Sequence, residues 1–201
     1  MILRQSEDGL SSLNLIVKSR IGTSDHLSLR TEGTLSLVAN QASYTLSPFP
    51  LRVTSVRRRN SSGYDVPMNL LSREEYFDIP NKTASPSTPI SYYFDPQSTS
   101  GTLYVWPAPD SNGATEFSLL YTYLRRPDDM LQSTDSLDMP QEWIDPLIWM
   151  LADDLETEYP VNDPRLAMKV GAKAAEAKQI LSNWDNEGGS IYMQPDTGTG
   201  F

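Results

Sequence analysis

The sequence of 201 residues contains no cysteine and only one histidine, His26. Disulfide bonds and thiolate metal sites are therefore excluded, and a reducing cytoplasm is the compartment that this composition favours. A single histidine cannot build a multi-histidine metal site, and it removes most Ser-His-Asp chemistry. We predict neither a metal site nor a cofactor.

Positive charge is scarce, because 16 lysines and arginines face 26 aspartates and glutamates and the net charge is −10. An acidic chain repels phosphate, so sequence-specific DNA binding over a broad basic face is not expected. The same charge keeps a subunit soluble before it meets its partners.

Long hydrophobic runs are also missing, since no stretch approaches the roughly 18 apolar residues that are needed to cross a bilayer. The first twenty residues hold Glu7 and Asp8 and have no continuous apolar segment, which is not the pattern of a signal peptide. We expect no contact with a membrane.

The first segment with a clear period is helical. Residues 7–21 place apolar side chains three and four positions apart, which predicts one apolar helix face, and Gly22 is a candidate C-cap. The face consists of Leu10, Leu13, Val17 and Ile21. A helix of this length is marginal alone, so it needs partners from elsewhere in the chain.

From about residue 27 to residue 126 the sequence has the character of β-strands. Residues 51–57 alternate apolar and polar side chains, as a half-buried strand does, and the turn formers of residues 60–63 follow. Further strands are predicted at 35–38, 43–46, 91–94, 102–106 and 115–123, with residues 107–113 as a hairpin connection between the last two. Ser72 and Glu75 have the spacing of a capping box and predict a one-turn helix.

Helical signals return after Pro140. Asp145-Pro146 and Asp163-Pro164 each have the form of an N-cap followed by an N1 proline. The first pair starts a helix that ends before Pro160; alternatively that helix begins at Pro140 and Pro146 kinks it. The second pair starts a helix that runs to about Trp184. Its seam is Leu166, Val170, Ala174, Ala177, Leu181 and Trp184.

The predicted fold class is α+β. A small bundle of the N-terminal helix and two C-terminal helices would carry an inserted, antiparallel β-sandwich-like module and an extended C-terminal arm. The expected divisions are residues 1–26 for the first helix, 27–136 for the β module, 137–184 for the C-terminal helices and 185–201 for the arm. Within the arm, residues 190–194 could form one strand.

Candidate catalytic groups are few. Asp153 and Asp154 are adjacent, and neighbours on a helix point about 100° apart, so they do not form a dyad. Asp128-Asp129 lacks the spacing of a calcium loop. His26, beside Asp25, is expected to be a loop residue, because sequence neighbours rarely form a working triad. We predict no catalytic residue.

Two cationic sites stand out in this acidic chain, Arg57-Arg58-Arg59 and Arg125-Arg126. They could contact DNA phosphate or an acidic partner surface, or they could end strands at solvated turns. The aromatic residues of the predicted strands could stack on bases or sugars, but filling the β core is the preferred interpretation. They are Tyr92, Tyr93, Phe94, Tyr104 and Trp106.

The order of the segments resembles the head-to-tail connector proteins of short-tailed bacteriophages, also called adaptor or tail accessory proteins. That group includes tail tubular protein A and packaged-DNA-stabilisation proteins. The resemblance covers nearly the whole chain, and the order of its segments is more specific than any one of them. The segments are SLNLIVKS (12–19), ASYTLSP (42–48), PMNLLSREEY (67–76), GTLYVWPAP (101–109), LLY (119–121), LDMPQEW (137–143) and the alanine-rich last helix.

The resemblance implies a structural virion protein at the head-tail interface, assembled in the host cytoplasm. Its copies would form a ring, commonly a dodecamer, beneath the portal protein, with the tail nozzle or tail fibre proteins on the other side. The helical part would face the portal and line a channel, through which packaged DNA passes without sequence-specific binding. Relatives often have more residues before the first helix, so that element is expected to be short here.

The expected interface residues lie in three places. Arg57, Arg58 and Arg59 form the cationic site of the β module, and Trp184 ends the last helix. Ile191, Tyr192 and Met193 are the apolar anchors of the arm, which would reach the portal or a neighbouring subunit.

Two other functions stay open from sequence. A tail-associated peptidoglycan-degrading enzyme would need a carboxylate pair around a groove. A carbohydrate-binding module would use Trp106 and its aromatic neighbours.

Overall fold

The computed structural model describes residues 2–21, 29–82, 85–97, 99–132, 134–160 and 162–184. Helices and strands both contribute substantially, so the predicted α+β class is confirmed. The helices are α1 (Ile2–Ile21), α2 (Arg73–Phe77), α3 (Ser111–Glu116), α4 (Ile144–Glu158) and α5 (Pro164–Trp184). The strands are β1 (Arg30–Ser36), β2 (Ser43–Leu46), β3 (Arg52–Asn60), β4 (Asp65–Pro67), β5 (Asn69–Leu70), β6 (Ser91–Pro96), β7 (Gly101–Trp106) and β8 (Phe117–Leu124).

The chain divides into two compact units. Residues 28–139 form the β unit, which contains all eight described strands with α2 and α3. Residues 1–27 and 140–201 form the helical unit, to which α1, α4 and α5 belong. Helices from opposite ends of the sequence therefore share one unit.

The β unit consists of two four-stranded sheets. The first sheet has the order β1-β8-β3-β4, and the second has the order β2-β7-β6-β5. All neighbouring strands are antiparallel except the short pair β5 and β6, which is parallel. Apolar side chains of both sheets form one core, as in a sandwich. That core includes Leu46, Val53, Val56, Tyr92, Leu103, Val105, Leu119, Tyr121 and Tyr123.

The predicted hairpin between the strands at 102–106 and 115–123 is wrong. β7 and β8 belong to different sheets, so residues 107–116 cross from one sheet to the other. The crossing contains α3, whose N-cap is Asp110: its side chain accepts a hydrogen bond from the Gly113 backbone N–H at 2.6 Å. The last strand consequently begins at Phe117 and not at residue 115.

The capping box of α2 is confirmed. The Ser72 hydroxyl accepts from the Glu75 N–H at 3.2 Å, and the Glu75 carboxylate accepts from the Ser72 N–H at 2.7 Å. The hydrogen bond from the Ser72 backbone lowers the pKa of Glu75. This short helix places the buried ring of Tyr76 against Tyr93 and Tyr104 of the second sheet.

The helical unit is organised around α4, which packs against both α1 and α5. The hydroxyl of Tyr159, after the end of α4, donates to the Asp8 carboxylate of α1 at 2.6 Å. Ile16 and Arg20, near the end of α1, line a cavity with Met150 of α4, so the two helices run antiparallel. The buried residues of the three helices are Val17, Pro146, Leu147, Met150, Ala174, Ala177 and Leu181, with Trp143 just before α4.

Helix boundaries differ from the predictions at two places. α1 begins at Ile2, five residues before the predicted start, and Gly22 lies outside the described residues. A 3-10 turn at Gln141–Trp143 leads directly into α4. Pro146 therefore falls in the first turn of α4, where its missing N–H costs no helical hydrogen bond.

α5 begins as predicted. The Asp163 carboxylate accepts from the Arg165 N–H at 2.9 Å, which caps the helix that Pro164 starts. Within the part of the chain that the structure describes, no helix is both long enough and apolar enough to span a membrane.

Candidate functional site

The arginine triplet lies in the second half of β3, next to the hairpin that joins β3 to β4 (Asp65–Pro67). Arg59 binds the Asp65 carboxylate through two hydrogen bonds, Nε to Oδ1 at 2.6 Å and Nη2 to Oδ2 at 2.7 Å. The Arg57 Nε lies 3.1 Å from Asp65 Oδ2, and Arg57 also pairs with Glu32 of β1. Hydrogen bonding to Arg59 lowers the pKa of Asp65. Two carboxylates thus balance two arginines of the same sheet.

Arg58, between them, has different partners. Its Nη1 donates to the backbone carbonyl of Pro89 at 3.0 Å, and its Cζ lies 5.5 Å from the centre of the Phe117 ring. All three arginines therefore have partners within the β unit. The side chains of Arg57 and Arg59 keep 31% and 42% of their surface exposed, so part of each side chain is open to a partner.

The hairpin between β3 and β4 presents an aromatic side chain that the sequence analysis missed. Tyr64 is 76% exposed. The Asn60 side chain accepts from the backbone N–H groups of Ser62 and Tyr64, at 3.1 and 2.8 Å, and Gly63 takes the positive φ of 82° that the turn requires. The signal available in the sequence was Tyr64 itself, a tyrosine that directly follows the turn formers of residues 60–63.

The second cationic site, Arg125-Arg126, is also paired within the β unit. Arg125 holds the Asp138 carboxylate in a bidentate ion pair, with Nη2 at 2.7 Å from Oδ1, and Asp138 accepts from the Asp128 backbone N–H at 3.1 Å. The hydrogen bond from Arg125 lowers the pKa of Asp138. Arg126 lies over the Phe49 ring, with its Cζ 4.1 Å from the ring centre.

The aromatic residues of the second sheet divide between its two faces. Tyr92 belongs to the sandwich core, as preferred from sequence. Tyr93 and Tyr104 project from the other face, where their rings stack at 5.8 Å and Tyr76 covers them. Tyr76 and Tyr93 are buried, and Trp106 is half-buried. Only a small part of this aromatic surface is open to a sugar or a base.

The helical unit contains a cavity of about 410 Å³ between its three helices. Its charged lining is Arg20 of α1, Asp153 and Asp154 of α4, and Lys178 of α5. Asp153 is engaged by Lys178, whose Nζ lies 3.6 Å from Oδ2. No cluster of three or more potential metal ligands occurs in the part of the chain that the structure describes.

The surface of the helical unit carries several large apolar side chains. They are Leu15 on α1, Ile144 and Ile148 on α4, and Leu166, Met168 and Ile180 on α5. Each of them is a large apolar side chain that a protein partner could cover.

The remaining predicted site residues lie at or beyond the end of α5. Trp184 is the last residue of that helix. Ile191, Tyr192 and Met193 lie outside the described residues, and so does His26.

The family model described as SU10 adaptor protein matches residues 8–196, a range that includes both units. A search of curated proteins finds no match.

Proposed function

Because the chain belongs to the SU10 adaptor protein family, a phage head-tail adaptor family, we propose that its copies form a ring that joins the portal to the tail. The family makes the chain a phage structural adaptor and a virion component, and it implies interaction with portal and tail components. The ring, its channel and its role in retaining packaged DNA are the proposed part.

The observation that carries the proposal is the extent of the family match. The match begins in α1, runs through both sheets and both C-terminal helices, and ends at residue 196. It therefore covers an architecture and not a single motif. Both units would take part in the same adaptor function.

Charge supports a channel through which DNA passes. The chain has a net charge of −10. An acidic wall repels phosphate, so DNA moving through the ring would not adhere to it. We propose that the helical unit lines that channel and faces the portal.

The C-terminal arm, residues 185–201, would reach the portal or a neighbouring subunit. Ile191, Tyr192 and Met193 supply large apolar side chains of the kind that dominate binding energy at interfaces. The arginine triplet of β3 is proposed as a secondary contact toward the tail, through the side-chain surface that Asp65 and Glu32 leave exposed.

The test is to mix the purified chain with the portal protein of the same phage and to image the product by electron microscopy. We expect a ring of density stacked coaxially on the portal. A chain truncated after Asp185 is the matched variant: we expect it to fold but not to join the portal. A folded full-length chain that leaves the portal bare would refute the proposed function, and normal incorporation of the truncated chain would refute the role of the arm.

A further inference from the structure

The two C-terminal helices carry opposite charges. α4 contains five acidic residues and no basic residue, whereas α5 contains four basic residues and one glutamate. Part of this charge is paired within the chain, since Lys178 contacts Asp153 and Lys173 binds Glu176 at 2.8 Å. Asp154 lines the cavity between the helices, and further charged side chains lie on the outer faces of α4 and α5.

The outer face of α4 is apolar with an acidic margin. Pro146, Leu147 and Met150 are buried and define the inner side of the helix. At about 100° per residue, Ile148 projects to the opposite side, with Asp145 and Glu156 beside it. Ile148 is 57% exposed, so this face is open.

The outer face of α5 is apolar with a basic margin. Ala174, Ala177 and Leu181 are buried and define the inner side. The same periodicity places Met168 on the opposite side, with Arg165 about 60° and Lys169 about 100° away from it in the same direction around the helix. Met168 is 78% exposed.

Neither margin is paired by a salt bridge within the described part of its own chain, although the hydrogen bond to Glu176 and, more weakly, the charge of Asp145 raise the pKa of Lys173 on α5. Within the described residues, Asp145 and Glu156 form no ion pair, and Arg165 and Lys169 form none either. By helical periodicity Ile148 and Met168 lie on the sides of their helices away from the buried residues, so these two side chains are not expected to meet within one subunit. A second copy supplies the complementary face.

We propose that the outer face of α5 in one copy docks on the outer face of α4 in the next copy. Met168 would pack against Ile148, and the basic margin would meet the acidic margin. Because the two faces differ, the contact is head-to-tail, and it closes into a ring when the rotation between copies divides a full turn. This inference rests on the proposed ring and assigns its subunit contact.

The absence of cysteine gives a direct test, because the introduced thiols are the only ones in the chain. The variant carries Ile148→Cys and Met168→Cys together, is assembled on the portal, and is treated with a short bismaleimide. We expect a ladder of cross-linked dimers, trimers and larger products. Each single-cysteine variant should give no ladder. A control with Leu15→Cys and Met168→Cys, which pairs an exposed position of α1 with α5, should also give none.

The outcomes separate this inference from the proposed function. Rings seen by microscopy without the ladder would overturn the α4–α5 contact and leave the ring standing. Products that stop at the dimer would show a symmetric contact and overturn it as well, as would equal ladders from the control pair. If the chain folds but no ring forms, both proposals fail.

Charge exchange provides a second readout. Arg165→Glu with Lys169→Glu should abolish ring assembly, and so should Asp145→Lys with Glu156→Lys. The chain carrying all four changes should assemble again, because the margins are exchanged and remain complementary. Circular dichroism establishes that each variant is folded. Assembly that is unaffected by either pair of changes would overturn the contact.

Discussion

In the β unit, each arginine of the two cationic sites has a partner within the unit. Arg59 binds Asp65, Arg125 binds Asp138, and Arg126 lies over Phe49. The helical unit is different, because Arg165 and Lys169 form no ion pair within the described residues. The arginines of the two cationic sites are thus used inside the first unit, whereas two basic side chains of the second are left available. Large apolar side chains are exposed on both units, for example Leu131 on the first and Met168 on the second.

The hydrophobic cores of the two units also differ. The β unit buries leucines, valines and tyrosines from two sheets. The buried face of α5 consists mainly of small alanines, which contribute little apolar surface. We infer that the β unit is the more stable of the two units.

The largest expected effect on stability comes from a substitution in the core of the β-sandwich. Leu103 is fully buried in β7, so Leu103→Ala removes apolar contacts and leaves a cavity. We expect the free energy of unfolding of the β unit to fall by about 2–5 kcal/mol, measured by urea denaturation. Leu15→Ala on the exposed surface of α1 is the control, with an expected change below about 0.5 kcal/mol. Equal losses in the two variants would contradict the comparison.

A smaller effect on stability is expected from the ion pair between Arg125 and Asp138, which holds the segment after β8. Arg125 lowers the pKa of Asp138 in the folded state, so the carboxylate stabilises the fold above its unfolded pKa. This stabilisation is lost as the pH falls through the lower, folded pKa. We expect Asp138→Asn to cost about 1 kcal/mol at neutral pH and to weaken the loss of stability in acid.

The measurement is urea denaturation between pH 7 and the acid limit of folding. Glu116→Gln, at the exposed end of α3, is the matched control and should leave both the stability and its pH dependence unchanged. An Asp138→Asn variant with the acid sensitivity of the unchanged protein would show that the pair is not a stabilising contact.

Local signals in the sequence predicted the local structure well. The Ser72 capping box and the Asp163-Pro164 helix start are both present, because each depends on residues within one turn. The α+β class followed from the change of period along the chain. The family resemblance is confirmed by the match over residues 8–196.

Non-local features could not be predicted in the same way. Turn formers between residues 107 and 113 indicate a change of direction, but they do not indicate which sheet the next strand joins. β8 pairs with β1 and β3, which are far away in sequence, and that pairing decides the topology. Similarly, the partners of Arg57 lie on β1 and β4, so its ion pairs follow from strand order and not from a motif.

The smallest expected effect on stability is that of a substitution on the exposed face of α4, which should change assembly but not folding. Leu147 is buried and Ile148 is exposed, although they are neighbours on α4. We expect Ile148→Ala to change the free energy of unfolding of the isolated subunit by less than about 0.5 kcal/mol, because its side chain contributes little to the core. Leu147→Ala should cost about 2–5 kcal/mol.

In assembly on the portal the Ile148→Ala variant should nevertheless form fewer rings, measured by counting occupied portals in micrographs. Full occupancy with Ile148→Ala would mean that the exposed face of α4 contributes nothing to the ring, and the contrast between the two units would then concern stability alone.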